Sequence, residues 1–446
     1  MNSNLTSQHI SQIVRQALEQ GLARAEDTAL LFHDLGYLRQ RIEQLKACFP
    51  PGTLHGLAIK ANPLLRLLEW LRPLNVGVEA ATMGEVRLAL HAGYPASAIV
   101  YDSPVKTREE LEFALETGVH LNIDNLSELE RVAGLKSRME TSGTIGIRIN
   151  PQVGLGSILG SSVAGEYSKF GVPIRHKKEE LRDAFRKHPW LTGVHLHVGS
   201  QGCPLELLVE GAGVLYDFAC WVNEGLGCPR ISIFDIGGGL PVSYSPVEDP
   251  AQMLDYVGAL KKRTPALFQN SNTGSQSNLD PTSLKGRHHR GGPNWSIITE
   301  FGRWVFVNSG FTISRVEYVK KDPGIQTAMI HVGADLFLRE CLNPSDWQHE
   351  YSVLDKLGNL KSGRDSTPYN LAGPLCFSGD ILAKSVSLPP IEEGDYIVIH
   401  DSGGYTFSMW SRYNSRYAPR ILGFEEGKFT VLKERESFDE LVRFWT

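Results

Sequence analysis

The stretch ISIFDIGGG, residues 231–239, is an apolar run that stops at three consecutive glycines. Its β-branched and aromatic residues predict a short buried strand, and the glycines predict a tight loop after it. Segments of helical period separate most of seven further apolar runs. These runs lie at residues 54–60, 77–81, 99–103, 120–124, 144–150, 193–199 and 296–300.

Strands that alternate with helices build either an open doubly wound sheet or a closed barrel. The predicted strands span about 250 residues, which is the usual length of a (β/α)₈ barrel. We therefore predict the α/β fold class, with a (β/α)₈ TIM-type barrel as the main domain.

The residues on either side of the barrel follow other patterns. Two segments before it have helical period, and a short β-like run, 29–33, lies between them. After Arg303 short β-like runs alternate with turns that contain Gly and Pro, which predicts a mainly β domain. The predicted division is an N-terminal segment whose strand joins the β domain, the barrel and the C-terminal β domain, at residues 1–48, 49–308 and 309–446.

Residues 270–294 interrupt the barrel pattern, because they contain almost no large apolar side chain and are rich in Ser, Asn, Gly and basic residues. Such a segment cannot pack in a core. We expect an exposed insertion before the eighth strand, and a dispensable loop is a simpler interpretation than a mobile lid.

Composition excludes several classes of protein. With 45 Lys and Arg against 50 Asp and Glu, the formal charge of −5 is too balanced for a protein that binds nucleic acid or a membrane surface. Six scattered cysteines without a CxxC pair fit neither a disulfide framework nor a zinc site. Neither a basic leader nor a long apolar span is evident, so we expect a cytoplasmic protein with a small-molecule partner.

In a (β/α)₈ barrel the functional residues lie at the carboxyl ends of the strands. Lys60 closes the first predicted strand, where burial would lower the pKa of its amine and favour an imine. A lysine that extends its ammonium group to solvent is the alternative. Gly237, Gly238 and Gly239 leave backbone N–H groups accessible to an anion, and Glu300 closes the eighth strand.

These three features suit one cofactor. Pyridoxal phosphate requires a lysine imine, a phosphate site and an acid that keeps its pyridine nitrogen protonated. Lys60, the glycines at 237–239 and Glu300 provide these groups. The sequence therefore predicts a pyridoxal phosphate site at one end of the barrel.

Two histidine patterns suggest a metal site instead. His195 and His197 close the sixth strand, but a hydrolase metal needs further His and carboxylate ligands from other strands. The other strand ends provide Lys60, Arg148 and glycines. Residues 287–290, RHHR, lie in the polar insertion and are typical of a solvated loop. We therefore predict no metal.

The sequence resembles the diaminopimelate and ornithine decarboxylases, from about Thr28 to the C-terminus. These enzymes use pyridoxal phosphate and have an alanine-racemase-like barrel followed by a β domain. Six motifs in the same order carry the resemblance, at residues 58–62, 197–201, 235–239, 300–303, 373–380 and 401–416.

The resemblance implies a role for each matching residue. Lys60 would hold the cofactor as an imine, Glu300 would pair with the pyridinium, and His197 would stack on the ring. Cys376 would come from the neighbouring subunit of a homodimer with composite active sites and would return a proton to a quinonoid intermediate. The other implied cofactor contacts are Arg148, Ser200, Gly237, Gly238, Gly239, Gly302, Arg303 and Tyr405.

The substrate segments depart from the family pattern. Phe377 follows Cys376 where these enzymes commonly have an acid, so the usual contact to a distal amino group is missing. The Arg-Pro-x-Leu-Tyr segment of diaminopimelate enzymes is altered at Arg339, and Glu79 stands where an aspartate is usual. The candidate substrate-binding residues are Arg339, Phe377, Asp380 and Tyr405.

We therefore predict a pyridoxal-phosphate-dependent decarboxylase of an α-amino acid, and the altered segments argue against diaminopimelate itself as the substrate. An amino-acid racemase on the same barrel is one alternative, which the cysteine motif and the run 413–416 disfavour. A non-catalytic regulatory homologue is the other, and the presence of both Lys60 and Cys376 argues against it.

Overall fold

The computed structural model describes residues 4–245, 248–269, 295–362 and 365–446. The predicted insertion at 270–294, with its RHHR run, lies outside these residues. The strands are β1 (Ala29–Asp34), β2 (Leu54–Ala58), β3 (Gly77–Ala80), β4 (Ile99–Asp102), β5 (His120–Ile123), β6 (Ile145–Asn150), β7 (Val172–Pro173), β8 (Leu191–His195), β9 (Ile233–Asp235), β10 (Ser296–Thr299), β11 (Gly310–Asp322), β12 (Ile325–Ile330), β13 (Tyr351–Leu354), β14 (Thr367–Ala372), β15 (Ile381–Leu388), β16 (Tyr396–Ile399), β17 (Arg420–Glu425) and β18 (Lys428–Lys433).

The helices alternate with the first ten strands and are sparse after them. They are α1 (Ser7–Glu19), α2 (Leu35–Cys48), α3 (Leu65–Leu71), α4 (Met83–His91), α5 (Arg108–Thr117), α6 (Leu126–Lys136), α7 (Ile174–Lys187), α8 (Leu205–Leu226), α9 (Met253–Arg263), α10 (Pro265–Phe268), α11 (Arg303–Phe306), α12 (Leu338–Leu342) and α13 (Phe438–Trp445). Among the described residues, no helix has the length and apolar character needed to cross a membrane.

The predicted TIM-type barrel is confirmed. Eight parallel strands follow the order β5-β4-β3-β2-β10-β9-β8-β6, and β5 pairs with β6 to close the ring. The two-residue strand β7 adds to the far side of β6. The barrel strands are buried along their length except at Thr192, as expected for parallel strands with a filled interior and helices outside.

Two barrel strands end earlier than the sequence pattern predicts. The chain leaves β2 at Ala58 and forms a 3₁₀ turn, Ile59–Ala61, just before Pro63. It leaves β8 at His195, and the backbone at Val198 then accepts a hydrogen bond from Val163 in the preceding loop. Lys60 and His197 therefore lie in the loops above the barrel and not in its strands.

Capping residues determine where several barrel helices begin. Thr107 and Glu110 form a reciprocal capping box at α5, while Thr82 and Asn125 cap α4 and α6. Each cap turns the chain from a strand end into a helix within a few residues. The strand ends are thereby held in one layer at the carboxyl edge of the barrel.

A second compact unit, built around a mainly β sheet, confirms the predicted β domain. Nine strands form this sheet, with the order β15-β14-β12-β11-β1-β17-β18, and β16 pairs with β11 and β13. The early strand β1 lies between β11 and β17, and α1 packs on the core of the unit. The barrel unit comprises Arg41–Pro241 and Pro250–Trp304, and the second unit comprises Met1–Gln40, Val242–Asp249 and Val305–Thr446.

Candidate active site

The barrel unit carries most of the predicted site residues at the carboxyl ends of its strands. These residues lie in the loops and turns that follow β2, β8, β9 and β10, and at the end of β6. They are Lys60, Arg148, His197, Ser200, Gly237, Gly238, Gly239, Glu300, Gly302 and Arg303.

Lys60 lies in the turn after β2 and forms an ion pair across to β3. Its Nζ is 2.6 Å from Oε2 of Glu79, and the Lys60 side chain is 41% exposed whereas that of Glu79 is buried. Burial raises the pKa of Glu79 to about 8, although the charge of Lys60 acts in the opposite direction. The amine is therefore not buried as the sequence suggested, because the strand ends two residues earlier.

Glu300 lies just after β10 and faces a buried histidine. Its Oε2 is 3.3 Å from Nε2 of His195, and its Oε1 is buried without a hydrogen-bond partner among the described residues. On the other side of the ring, Nδ1 of His195 is 3.6 Å from Oδ1 of Asp102. Asp102 in turn accepts a 2.8 Å hydrogen bond from Arg148 through Oδ2. The side chains of Glu300, His195, Asp102 and Arg148 thus form a continuous row.

The positions of these side chains show that one step of our argument against a metal site was wrong. We expected no carboxylates beside the HxH pair, yet Asp102 and Glu300 both approach His195, and one atom from each residue lies within 4.8 Å of the others. The sequence could not show this proximity, because one acid comes from β4 and the other from the segment after β10, and only the folded barrel brings them together. The two carboxylates face different ring nitrogens, and Arg148 already binds one of them, so the geometry suits ion pairs along a row.

The three glycines after β9 allow three loops to approach closely. A Cβ on Gly238 would collide with the carbonyl oxygen of Glu300, and one on Gly239 with the carbonyl oxygen of Gly199. The N–H of Gly238 donates to Nδ1 of His197 at 3.3 Å. Only glycines permit this packing, which brings backbone N–H groups from the β9 loop beside the His197 ring.

His197 is held as a neutral ring. Burial lowers its pKa to about 3, and the positive charges of Arg148 and Lys60 act in the same direction. Because Nδ1 accepts from Gly238, the ring orientation is fixed by an in-plane contact. An imidazole face held in this way is suited to packing on a flat aromatic group.

Two further predicted residues join the loops after β8 and β10. Nε of Arg303 donates to Oγ of Ser200 at 2.9 Å, and the Arg303 side chain is buried. A Cβ on Gly302 would lie 2.9 Å from the Cβ of Ala58, beside the turn that carries Lys60. The loop after β10 is therefore packed against the turn after β2.

The residues present match what pyridoxal phosphate requires. Lys60 offers an amine at the strand edge, and Glu300 offers a buried carboxylate oxygen that lacks a partner in the described part of the chain. In the glycine loop the N–H groups of Gly237 and Gly238 already donate to Asp235 and His197, which leaves the N–H of Gly239 as the candidate for an anion contact. His197 offers a neutral ring. An acid, an amine and an anion site are the three groups that this cofactor needs.

Replacement of Gly239 by alanine should damage this loop. Its φ of 104° is unfavourable for any other residue, and the new Cβ would meet the Gly199 carbonyl. We expect Gly239→Ala to lower the free energy of unfolding by about 1–3 kcal/mol and to weaken pyridoxal phosphate binding. Urea denaturation and cofactor titration measure the two effects.

Gly258→Ala is the matched control, because Gly258 lies in α9 and a Cβ there would meet nothing within 4 Å. Alanine is the better helix residue, so this variant should keep or gain stability. Equal stability and equal cofactor affinity in both variants would contradict the assignment of the glycine loop.

In the second unit, Cys376 lies on an exposed loop that is held by the 413–414 turn. The N–H of Cys376 donates to Oδ1 of Asn414 at 2.8 Å, and the Tyr413 hydroxyl donates to the Cys376 carbonyl at 3.5 Å. The thiol is exposed, and the adjacent Phe377 is 39% exposed. Two of the predicted motifs, 373–380 and 401–416, are thus in direct contact.

Asp380 is buried and bound to the backbone around it. Its Oδ1 accepts from the N–H of Ala334 at 2.6 Å, and its Oδ2 accepts from the N–H of Leu375 at 2.7 Å. Asp380 thereby holds the backbone of the Cys376 loop, and its assignment to substrate binding stays a prediction.

Arg339 and Tyr405 are linked in the second unit. A terminal nitrogen of Arg339 donates to the carbonyl of Tyr405 at 3.1 Å, and its guanidinium carbon lies 4.1 Å from the centre of the Trp347 ring. Tyr405 has a left-handed backbone, with φ of 58°. These contacts hold the guanidinium of Arg339 beside Tyr405.

Sequence reasoning missed three ionisable residues of the barrel site. Asp102 and Asp235 end strands β4 and β9, and His195 was considered only as a metal ligand. Asp235 is buried, and Asn122 and the N–H of Gly237 donate to its two oxygens at 3.1 and 3.0 Å. Burial and the nearby Glu300 carboxylate raise the pKa of Asp235 well above its usual value. Their position at the ends of barrel strands, the same criterion that identified Lys60, could have identified these residues from the sequence.

Known proteins resemble this chain in sequence and in fold. A family model described as "Pyridoxal-dependent decarboxylase, pyridoxal binding domain" matches residues 35–279. Diaminopimelate decarboxylase from Methanothermobacter thermautotrophicus is 32% identical over 387 residues, which cover 86% of this chain and 83% of that protein. The same enzyme from Helicobacter pylori strain 26695 is 30% identical over 427 residues, covering 95% of this chain and 96% of that protein.

A solved structure agrees with the sequence comparison. The crystal structure of Helicobacter pylori diaminopimelate decarboxylase complexed with L-lysine superposes with a TM-score of 0.80 at 28% identity, covering 96% of this chain and 99% of that chain. The predicted cofactor and the predicted carboxy-lyase activity are thereby confirmed at the level of the family. The chain belongs to the pyridoxal-dependent decarboxylases, enzymes that remove the carboxyl group of an amino acid with pyridoxal phosphate.

Proposed function

We propose that the protein decarboxylates an α-amino acid at the barrel site and that Lys60, Glu300 and Cys376 carry the reaction. The observation that carries this proposal is the buried Oε1 of Glu300, which has no hydrogen-bond partner in the described residues and lies in the same unit as the Lys60 amine and the glycine loop. A buried carboxylate oxygen is costly unless something binds it. A protonated pyridine nitrogen is the donor that fits.

Each barrel residue has one task in this proposal. Bound pyridoxal phosphate supplies the electron-accepting ring that stabilises the charge left when CO₂ departs. Lys60 would hold the cofactor through its amine, which donates a hydrogen bond to Glu79 in the structure. Glu300 would bind the protonated pyridine nitrogen, and His197 would pack on the ring. The N–H of Gly239 would bind the phosphate, because those of Gly237 and Gly238 donate to Asp235 and His197.

We infer that Cys376 returns the proton to the carbon that loses CO₂. Its thiol is exposed on a loop that Asn414 and Tyr413 hold in place, so it is accessible to a second copy of the chain. This exposure supports a homodimer in which each site combines residues of both subunits. All six cysteines are free, which supports a reducing compartment such as the cytoplasm.

For the substrate, we propose an α-amino acid whose distal end is neutral or carries a carboxylate. Phe377 follows Cys376 directly and offers no charge to a distal ammonium group. In the same unit Arg412 and Arg416 are bound by Glu436 and Asp335, so both are engaged in the structure. Arg339, beside Tyr405, has a longer contact of 3.8 Å with Glu340 and is the cation that we assign to a distal carboxylate.

Phe377→Glu should shift specificity toward diamino substrates. A buried carboxylate–ammonium hydrogen bond contributes about 1.5–3 kcal/mol, so the unmodified enzyme should turn over lysine and ornithine roughly ten- to a hundredfold less well than an enzyme that makes this bond. The ratio of kcat/KM values for free ornithine and for a dicarboxylic amino acid measures the shift. Phe377→Leu, which adds no charge, is the control, and efficient turnover of lysine or ornithine by the unmodified enzyme would refute the proposal for Phe377.

A decarboxylation screen tests the function itself. Purified protein is incubated with basic, acidic and diamino-dicarboxylic amino acids, while released CO₂ and the chirality of the remaining substrate are followed. We expect CO₂ release from one of these three classes of amino acid. Inversion of the α-carbon without CO₂ release would support a racemase, and the absence of both reactions in protein loaded with cofactor would overturn the catalytic proposal.

A further inference from the structure

We propose that His195 is a positioning residue, which as an imidazolium bridge between Asp102 and Glu300 keeps Glu300 ionised and orients it toward the pyridine nitrogen. This inference rests on the proposed function, in which Glu300 binds that nitrogen. It gives a task to a fully buried histidine that the proposed reaction does not otherwise use.

Both ring nitrogens of His195 face carboxylate oxygens. Nε2 lies 3.3 Å from Oε2 of Glu300, and Nδ1 lies 3.6 Å from Oδ1 of Asp102. A neutral imidazole has one N–H and one lone pair, so one of its nitrogens would set a lone pair against an anion. The imidazolium has an N–H on both nitrogens, so it alone presents a donor to each carboxylate, although neither contact has hydrogen-bond geometry in the structure.

The count of charges leads to the same result. Arg148 pairs with Asp102 at 2.8 Å, and among the described residues His195 is the only basic side chain within ion-pair distance of Glu300. A buried carboxylate without a cation tends to take up a proton. A protonated Glu300 could no longer keep the pyridine nitrogen of the cofactor charged.

The backbone holds His195 in place between two strands. In the sheet register, His195 on β8 pairs with Arg148 on β6 and with Asp235 on β9. Side chains on central strands of a closed barrel have little freedom to move. The carboxylate of Glu300 is therefore directed by a rigid neighbour, and its second oxygen, Oε1, remains available.

The groups around His195 support its positive charge. Burial acts to lower its pKa, but the charges of Asp102, Glu300 and Asp235 outweigh this effect and raise the pKa to about 9. Burial likewise acts to raise the pKa of Glu300, and the charge of His195 outweighs it, so the pKa of Glu300 is lowered. The other ionisable groups that interact with this row are Arg148, Lys60, Lys106, Glu79, His120, Asp124 and His197.

The first experiment uses the cofactor-free protein. With [¹⁵N]histidine labelling, the signals of the 14 histidines are recorded between pH 6 and 9, and those of His195 are identified by their loss in His195→Gln. We expect both His195 nitrogens to be protonated at pH 7.5. A neutral His195 at that pH would overturn the proposal. This result needs only the unmodified protein to be folded, with the variant used for assignment; if His195→Gln does not fold, His195→Asn replaces it.

The second experiment uses protein reconstituted with pyridoxal phosphate that carries ¹⁵N in its ring. We expect a protonated pyridine nitrogen in the unmodified enzyme and an unprotonated one in His195→Gln, together with a loss of kcat of roughly ten- to a hundredfold and little change in KM. His91→Gln is the matched control, because His91 lies exposed at the end of α4. It should retain both the protonated nitrogen and the activity.

A double variant separates positioning from a general loss of structure. If His195 acts through Glu300, then adding His195→Gln to Glu300→Gln should lower kcat no further. A protonated pyridine nitrogen in His195→Gln, or fully multiplicative losses in the double variant, would overturn the proposal. Failure of the unmodified protein to bind pyridoxal phosphate would instead refute the proposed function, and the cofactor-free titration would still decide whether His195 is charged.

Discussion

Lys60→Ala protein is expected to lose the visible absorption band of the bound cofactor and to lose turnover by roughly a thousandfold or more. The reason is that Lys60 is the amine at the β2 end that we assign to the covalent link with pyridoxal phosphate. The variant should remain folded, because burial acts to raise the pKa of its partner Glu79, so the Glu79 carboxyl can take up a proton when the Lys60 charge is removed. Absorption spectra and the rate of CO₂ release measure the effect.

Lys187→Ala provides the matched control for this substitution. Lys187 is 63% exposed on α7 of the same unit, where it pairs with the exposed Glu130. Exposed pairs of this kind contribute little to stability, so spectrum and rate should be unchanged. An unaltered visible spectrum in Lys60→Ala would refute the assignment of the cofactor to Lys60.

Mixing Lys60→Ala with Cys376→Ala protein is expected to restore activity that neither variant has alone. In a homodimer with composite sites, a mixed dimer contains one site with an intact Lys60 and an intact Cys376. Random exchange makes half of the dimers mixed, so we expect about a quarter of the activity of the unmodified enzyme. Activity is followed over time after mixing, with subunit exchange confirmed through distinct affinity tags.

The control for this experiment is a mixture of Lys60→Ala with Glu300→Gln. Both residues belong to the barrel unit, so every site in every mixed dimer would lack one of the two. No activity should return. Recovery in this control, or no recovery in the Cys376 mixture despite complete exchange, would show that the sites are not shared as proposed.

Much of the barrel follows from local sequence alone. The run at 231–239 and its seven counterparts predict the eight barrel strands, because each is a short apolar segment bounded by turn residues or by a helical pattern. Because the carboxyl ends of barrel strands meet at one edge, this pattern also places Lys60, Gly237 and Glu300 on the same side of the fold.

The register of the strand ends could not be predicted in the same way. Periodicity does not distinguish a strand that ends at Ala58 from one that ends at Lys60, because both continue an apolar run. The difference depends on hydrogen bonds to other segments, such as the bond that Val163 donates to Val198. Lys60 is exposed and paired with Glu79 because the chain leaves β2 at Ala58 and turns there.

The sequence by itself determined the barrel, the mainly β domain and the positions of the amine, the glycine loop and the acid, because these depend on patterns within a few residues. Only the tertiary structure decided how the charges are arranged. Asp102, His195 and Glu300 lie roughly a hundred residues apart along the chain, so no local period relates them. Closing the barrel brings their atoms within 4.8 Å, and burial there makes each charge depend on the next.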